Sequence, residues 1–245
     1  VNGGQDSTED ALFGGRLVLH QLARGYRTNV DALLLAAFVA SGPPRTHAVD
    51  LGAGVGPLGL SLLHFRAADR VTLVELDAAA AALCRHNVQA NGFEPRATVV
   101  AGDVRAVSEG LRGAADLVVS NPPYFAPGQG RVPLDERRAL ARMGELEHFA
   151  RAARTFAGRR ARVAFVYPAA SFALLVATFA RAGLQAKRAR FVHTSASSPA
   201  RVVLVEAAAG KPGGLAVQPP LVERDASGAY ALEMKRLLDG EIART

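Results

Sequence analysis

The sequence predicts an α/β fold: a doubly wound, mostly parallel sheet of seven strands, with helices on both faces, an antiparallel hairpin at one edge and a short N-terminal hairpin extension. Three observations predict it. Strand-like and helix-like segments alternate from residue 48 to residue 181, the pattern of parallel strands joined by helical crossovers. The last two strand-like runs have no helix between them, so they form an antiparallel pair. The chain has 245 residues and 49% hydrophobic composition, enough for one large domain with a sizeable core and too apolar for global disorder.

The elements follow in order. Residues 1–10 are polar. Residues 11–22 read as a hairpin with Gly14 and Gly15 at its turn. An apolar helix over 29–39 is stopped by Ser41-Gly42-Pro43-Pro44. Strand 48–51 enters a glycine-rich turn and a helix over 57–65. Strand 70–75 leads to an Ala-rich helix that ends at Asn91-Gly92. Strands are expected at 97–100 and 115–119, a helix at 142–156, a strand at 162–167 and a helix at 171–181. Strands 185–193 and 201–206 flank a Ser/Pro turn, and a last helix covers 229–238. We read 1–45 as a hairpin and helix extension and 46–245 as the main domain.

Composition narrows the function. The formal net charge is +7. Lysine occurs only as Lys187, Lys211 and Lys235, so nearly all the positive charge is arginine, whose planar fork suits phosphate. A basic balance permits a nucleic-acid partner without requiring one. The single cysteine, Cys84, excludes an intramolecular disulfide framework and a Cys-rich metal site and reads as a small core residue. The apolar runs fall far short of the ~20 residues of a membrane span, and no targeting segment is read at the start. A cytoplasmic monomer with no membrane and no obligate metal is expected. The six histidines show no metal-ligand spacing and read as surface or capping residues.

The glycine turn carries the first functional signal. VDLGAGVGPLGL, residues 49–60, holds Gly52, Gly54, Gly56 and Gly59. Gly54, Gly56 and Gly59 fit GxGxxG, the dinucleotide fingerprint of Rossmann-like sheets. Two residues argue against a pyrophosphate. Asp50 before the first glycine would repel it and suit an ammonium group. Pro57 removes a helix N-terminal N–H. Glu75 ends the second strand, where a carboxylate can accept from both hydroxyls of a ribose. A ligand with a ribose and a positive charge but no phosphate fits, and S-adenosylmethionine is such a ligand. Asp103, at the end of the third strand, can accept from an adenine amine or cap a turn.

The second signal is SNPPYF, residues 120–125, at the end of the fourth strand. In a doubly wound sheet, ligands bind beyond the carboxyl ends of the strands. A planar amine is a poor nucleophile because its lone pair is conjugated. Two acceptors, the Asn121 side-chain oxygen and the Pro122 carbonyl held rigid by Pro122-Pro123, can draw it towards tetrahedral geometry. Tyr124 can stack on a flat substrate and hold it in line.

VDLGAGVGPLGL, VELD, AGDV and SNPPYF, in this order, resemble class I S-adenosylmethionine-dependent methyltransferases, and NPPY resembles those acting on adenine N6, guanine N2 or glutamine N5. LFGGRLVLHQLARGYRTNVDALLLAAFV, with Tyr26, Arg27, Asp31, Leu33 and Leu34, resembles the N-terminal segment of the bacterial tRNA1(Val) adenine-37 N6-methyltransferase family. Phe125, FVHTSASSPARVVLVEA and PPLVERDASGAYALEMKRLL fit the same resemblance. It implies S-adenosylmethionine bound by Asp50, Gly52, Gly54, Glu75, Asp103 and Asn121. Asp31 is a further candidate, or simply an acid at a helix N-terminus. It implies methyl transfer to the N6 amine of an adenine in structured RNA, tRNA above all, with Asn121, Pro122, Pro123 and Tyr124 catalytic and Phe125 at the substrate. Arg131, Arg137, Arg138 and Arg142, expected in a loop over the site, can hold phosphates, as can Lys187, Arg188, Arg190, His193 and Arg201 on the edge hairpin. The same chemistry fits rRNA guanine N2, protein glutamine or a small metabolite. An NAD-dependent oxidoreductase and a non-catalytic RNA-binding protein are the rivals of other classes.

Overall fold

A computed structural model describes residues 7–22, 30–106, 110–123 and 136–242, with the backbone alone for 136–143. Strands β1 (Ser7–Leu12) and β2 (Leu17–Leu22) form a separate antiparallel hairpin. Its turn places Phe13, Gly14 and Gly15 at positive φ. Helix α1 (Val30–Ala40) precedes β3 (Arg45–Leu51), α2 (Pro57–His64), β4 (Ala68–Glu75), α3 (Ala78–Ala90) and β5 (Ala97–Ala101). Then follow β6 (Ala115–Ser120), α4 (Glu136–Phe156), β7 (Ala157–Pro168), α5 (Phe172–Arg181), β8 (Leu184–Ser195) and β9 (Ala200–Ala209). Short strands β10 (Ala216–Val217) and β11 (Leu221–Arg224) and helix α6 (Leu232–Leu238) complete the described elements.

The seven expected strands form one sheet in the order β8-β9-β7-β6-β3-β4-β5, with β8 and β9 antiparallel as the sequence predicts. It is lengthened to nine strands by β10 and β11, which both pair in parallel with β8. The β8–β9 pair is therefore covered on its outer side. Residues 97–101 and 115–120 lie at opposite ends of the β5-β4-β3-β6 run, because the chain returns to the other side of β3. The strand order reverses between β3 and β6, the switch point where open α/β sheets build their sites.

Alternate strand residues feed two cores, as the pleat dictates. Leu117 and Val119 of β6 join α1, α2, α3, α6 and the hairpin on one face, while Val118 joins α4 and α5 on the other. Cys84 lies fully buried in the first core, where burial pushes its thiol up to about 12. The hairpin is held by two side-chain amides one turn apart, Asn87 in α3 and Asn91 at its C-cap. Asn87 accepts from the His20 amide (2.8 Å) and donates to the His20 carbonyl (2.9 Å). Asn91 does the same for Val18 (2.9 and 2.7 Å). These side chains stand in for a third strand against the open edge of β2.

Several boundaries differ from the sequence reading: the hairpin starts at Ser7 rather than 11, β3 at Arg45 rather than 48 and β7 at Ala157 rather than 162. Helix α4 starts at Glu136, not 142, because ERRALARM is made of strong helix formers led by an acid. Arg137, Arg138 and Arg142 are thus helical rather than in a loop, and their side chains lie outside the described residues. The last helix begins at Leu232, and residues 225–228 form a tight turn ahead of it.

Candidate active site

The site is built where β3 and β6 run side by side. Leu51 is in register with Ser120, and the Ser120 hydroxyl donates to the Leu51 carbonyl over 2.8 Å inside the protein. This pair brings the glycine turn that leaves β3 next to Asn121 and Pro122, which leave β6. Asn121 is half-buried, Pro122 buried and Pro123 exposed. Tyr124, Phe125, Arg131, Tyr26 and Arg27 lie outside the described residues.

The glycines of the turn differ in what surrounds them. Gly54 has φ +58° and open space where a side chain would project, so a ligand can lie on its backbone. At Gly59 a Cβ would come 2.8 Å from Leu73 Cδ2 and 3.1 Å from Val71 Cγ1, so this glycine lets α2 pack directly on β4. The edge of the Phe149 ring lies where a Gly52 side chain would go. Phe149 thus flanks the turn from α4, a placement no local pattern announces.

Asp50 sits beneath the turn, 1% exposed, and its Oδ2 accepts the Gly59 amide over 2.9 Å. Burial is the main cause that raises its carboxyl from 3.8 to about 7. The Gly59 hydrogen bond opposes this and the Glu75 charge adds to it. Glu75 lies at the tip of β4. Its Oε2 accepts from the Gly54 amide (2.7 Å) and its Oε1 from the Asp77 amide (2.8 Å). These bonds aim the carboxylate and leave each oxygen a further acceptor site. Leu76 beside it is 67% exposed, an apolar surface at the strand tip that the sequence reading passes over.

Asp103 lies two residues beyond β5. It accepts from the Arg105 amide and Nε (2.8 and 2.9 Å), and these hydrogen bonds lower its carboxyl to about 2. His148 of α4 adds a weaker charge effect on the same carboxylate. These contacts anchor the carboxylate just beyond the end of β5.

Asp31 lies in the first turn of α1. It is 1% exposed and its Oδ1 pairs with Arg201 Nη1 over 2.6 Å, while Arg201 Nη2 reaches Glu223 Oε1 at 2.7 Å. The triad ties α1 to β9 and β11.

The edge hairpin is not the open basic surface the sequence suggests. Arg188 pairs with Glu206, donates to the Phe38 carbonyl and lies over the Phe38 ring. Arg190 grips Glu233 through both terminal nitrogens (2.7 Å each). Lys187 donates to two carbonyls, and His193 Nδ1 is 2.8 Å from the Ser198 carbonyl. His47, expected at the surface, is 8% exposed and bridges Thr72 and the Ala114 carbonyl. Sequence spacing cannot show such pairings, because the partners lie far apart in the chain.

Among the described residues, no group of His, Cys, Asp or Glu could hold a metal ion, and no helix is long and apolar enough to cross a membrane. A cleft of about 550 Å³ between α1 and α6, lined by Leu34, Phe38, Leu221 and Leu237, shares no residue with the site.

A switch-point site made of a glycine turn, a carboxylate at the next strand tip and an Asn-Pro pair belongs to Rossmann-like methyltransferases, and the comparisons agree. Residues 28–146 match the methyltransferase small domain. A solved structure described as a predicted O-methyltransferase from Agrobacterium tumefaciens is 26% identical, with TM-score 0.69, covering 87% of this chain and 97% of that one. The tRNA1(Val) (adenine(37)-N6)-methyltransferase of Edwardsiella ictaluri is 31% identical over 182 residues, 73% of this chain and 72% of the relative. That of Shewanella sp. strain W3-18-1 is 36% identical over 124 residues, 48% of this chain and 49% of the relative. The match thus spans about half the length of some relatives and nearly three quarters of another. The chain belongs to the tRNA1(Val) (adenine(37)-N6)-methyltransferase family.

Proposed function

We propose that the protein transfers a methyl group from S-adenosylmethionine to the exocyclic N6 amine of an adenine in structured RNA, with tRNA as the substrate. The observation that carries this reading is the Leu51–Ser120 pairing, which sets the glycine turn and the Asn121-Pro122 acceptors side by side at the switch point. Family membership supports the reaction class.

The residues present fit the cofactor. Open space over Gly54, the aimed Glu75 carboxylate and the exposed Leu76 suit a ribose and an adenine ring. Gly52, Gly54 and Glu75 would hold the nucleoside, with Asp103 at the adenine amine. Asp50 would face the positive charge through the turn. When bound, S-adenosylmethionine supplies an electrophilic methyl group. The chain's own work is positioning and electrostatics. Asn121 Oδ1 and the Pro122 carbonyl would accept the two N–H bonds of the target amine and localise its lone pair. Pro123 stiffens that carbonyl, and Tyr124 and Phe125 would stack on the flat base. Arg137 and Arg138, at the start of α4, would meet RNA phosphates.

The test is transfer of labelled methyl onto total cellular RNA, followed by nucleoside mass spectrometry. A rise in N6-methyladenosine in the tRNA fraction is expected. Label in guanine, in protein glutamine or in small metabolites instead would overturn the assigned base.

A further inference from the structure

Residues 224–230 form a tight hairpin that projects from the carboxyl end of the sheet. Arg224 ends β11, where it is in register with Ser195 at the end of β8. It forms an antiparallel bridge with Tyr230. Its guanidinium lies 4.6 Å above the Tyr230 ring and donates to the Gly228 carbonyl over 2.8 Å. The ring is 40% exposed. An aromatic plane held flat by an arginine is a stacking platform of the kind unpaired bases use.

The hairpin is built to hold this shape. The Asp225 carboxylate accepts from the Ser227 amide (2.9 Å), the Ser227 hydroxyl (2.6 Å) and the Ala229 amide (3.2 Å). Gly228 takes φ +83°, which a side chain would resist. The base is rooted by Glu223, whose carbonyl accepts the Ala231 amide and whose carboxylate takes Arg201 of the buried triad.

Its position suits the reacting site. β11 and β6 run parallel to the same strand direction, so Arg224 and Asn121 both leave the sheet at its carboxyl end. Four strand steps separate them sideways, about 19 Å at the usual inter-strand spacing, and the registers set Arg224 about five residues further along the strand direction, so the span is about 25 Å. Two positive charges, Arg224 and Lys235, serve this end. Both are exposed, on either side of the Asp225 carboxylate, on which Lys235 acts electrostatically.

We infer that Tyr230 and Arg224 form a second RNA contact, a platform on which an unpaired base near the target adenine stacks while Arg224 and Lys235 face its phosphates. The inference rests on the proposed RNA substrate and extends it to a surface outside the methyl-transfer site.

The experiment compares wild type, Tyr230→Ala, Tyr230→Phe and Arg224→Ala. Two readouts are used: methyl-transfer kinetics on a tRNA transcript, and equilibrium binding of a fluorescein-labelled stem-loop RNA without cofactor. Far-UV circular dichroism confirms each variant is folded. Loss of one stacked base weakens binding by roughly ten-fold or more. Tyr230→Ala is expected to raise KM and the RNA Kd by that factor with kcat and S-adenosylmethionine affinity unchanged. Tyr230→Phe keeps the plane and stays near wild type, and Arg224→Ala falls between. Methylated RNA with unchanged KM and Kd in Tyr230→Ala overturns the platform and leaves the proposed reaction standing. No RNA methylation, with RNA binding still lost in Tyr230→Ala, overturns the reaction and keeps the platform. No RNA binding by wild type overturns both.

Discussion

The Gly54 amide donates to Glu75 Oε2 over 2.7 Å, so the tip of β4 is tied to the turn that leaves β3. One hydrogen bond thereby sets the distance between a backbone surface and a carboxylate that would grip the same nucleoside. A second, from the Asp77 amide to Oε1, fixes the carboxylate plane.

Glu75→Ala removes that carboxylate at a half-exposed position where water can replace it. S-adenosylmethionine binding weakens by roughly ten- to hundred-fold, the worth of hydrogen bonds to a charged acceptor. Isothermal titration checks this. An unchanged dissociation constant rules out the ribose contact.

Asn121→Ala leaves the glycine turn and Glu75 untouched but deletes one of the two acceptors proposed for the reacting amine. Methyl transfer falls by roughly 10²–10³-fold, as for loss of one preorganised polar group, while cofactor affinity changes little. Single-turnover kinetics beside cofactor titration separates the two. A parallel loss in both would assign Asn121 to cofactor binding instead.

Asp50 makes stability depend on pH. Its folded carboxyl is raised to about 7 from 3.8, chiefly by burial. Between those values the folded protein holds a proton that the unfolded chain has released. Stability of the unliganded protein therefore falls as pH rises from about 4 to about 7 and then levels off. Asp50→Asn removes this component, and the difference between the two melting profiles across the window reports it. Identical slopes in wild type and variant would falsify the buried, protonated carboxyl.

Asn87→Ala strips three partners at once: the His20 amide, the His20 carbonyl and the Val55 carbonyl. The cost is about 2–4 kcal/mol from buried polar groups left without partners. Asn87→Asp keeps the acceptor but sets a buried carboxylate against the two carbonyl oxygens, so at neutral pH it costs at least as much. Denaturant unfolding measures the loss, and limited proteolysis is expected to cut the hairpin first. A cost within error of zero would mean the hairpin is held by its apolar face alone.

Much of this was legible in residues 48–120. Glycine positions, strand-tip acids and the Asn91-Gly92 helix stop follow from local period and turn chemistry. The first turns of α4 read as a loop in the sequence because they are polar and carry no apolar stripe of helical period. The two short strands β10 and β11 carry no periodic signal of their own; their pairing with β8 defines them.

By itself, the sequence determined the α/β class, the order of motifs at successive strand ends and the Asn121-Pro122-Pro123 segment after β6, because each depends on neighbours a few residues away. Tertiary structure alone decided the register of β3 on β6 and that Phe149 flanks Gly52. It also decided that Asn87 and Asn91 close the β2 edge and that Arg201 joins Asp31 to Glu223. Those partners are separated by tens to hundreds of residues. No local pattern can specify them, because burial on a common core chooses which distant polar groups must satisfy one another.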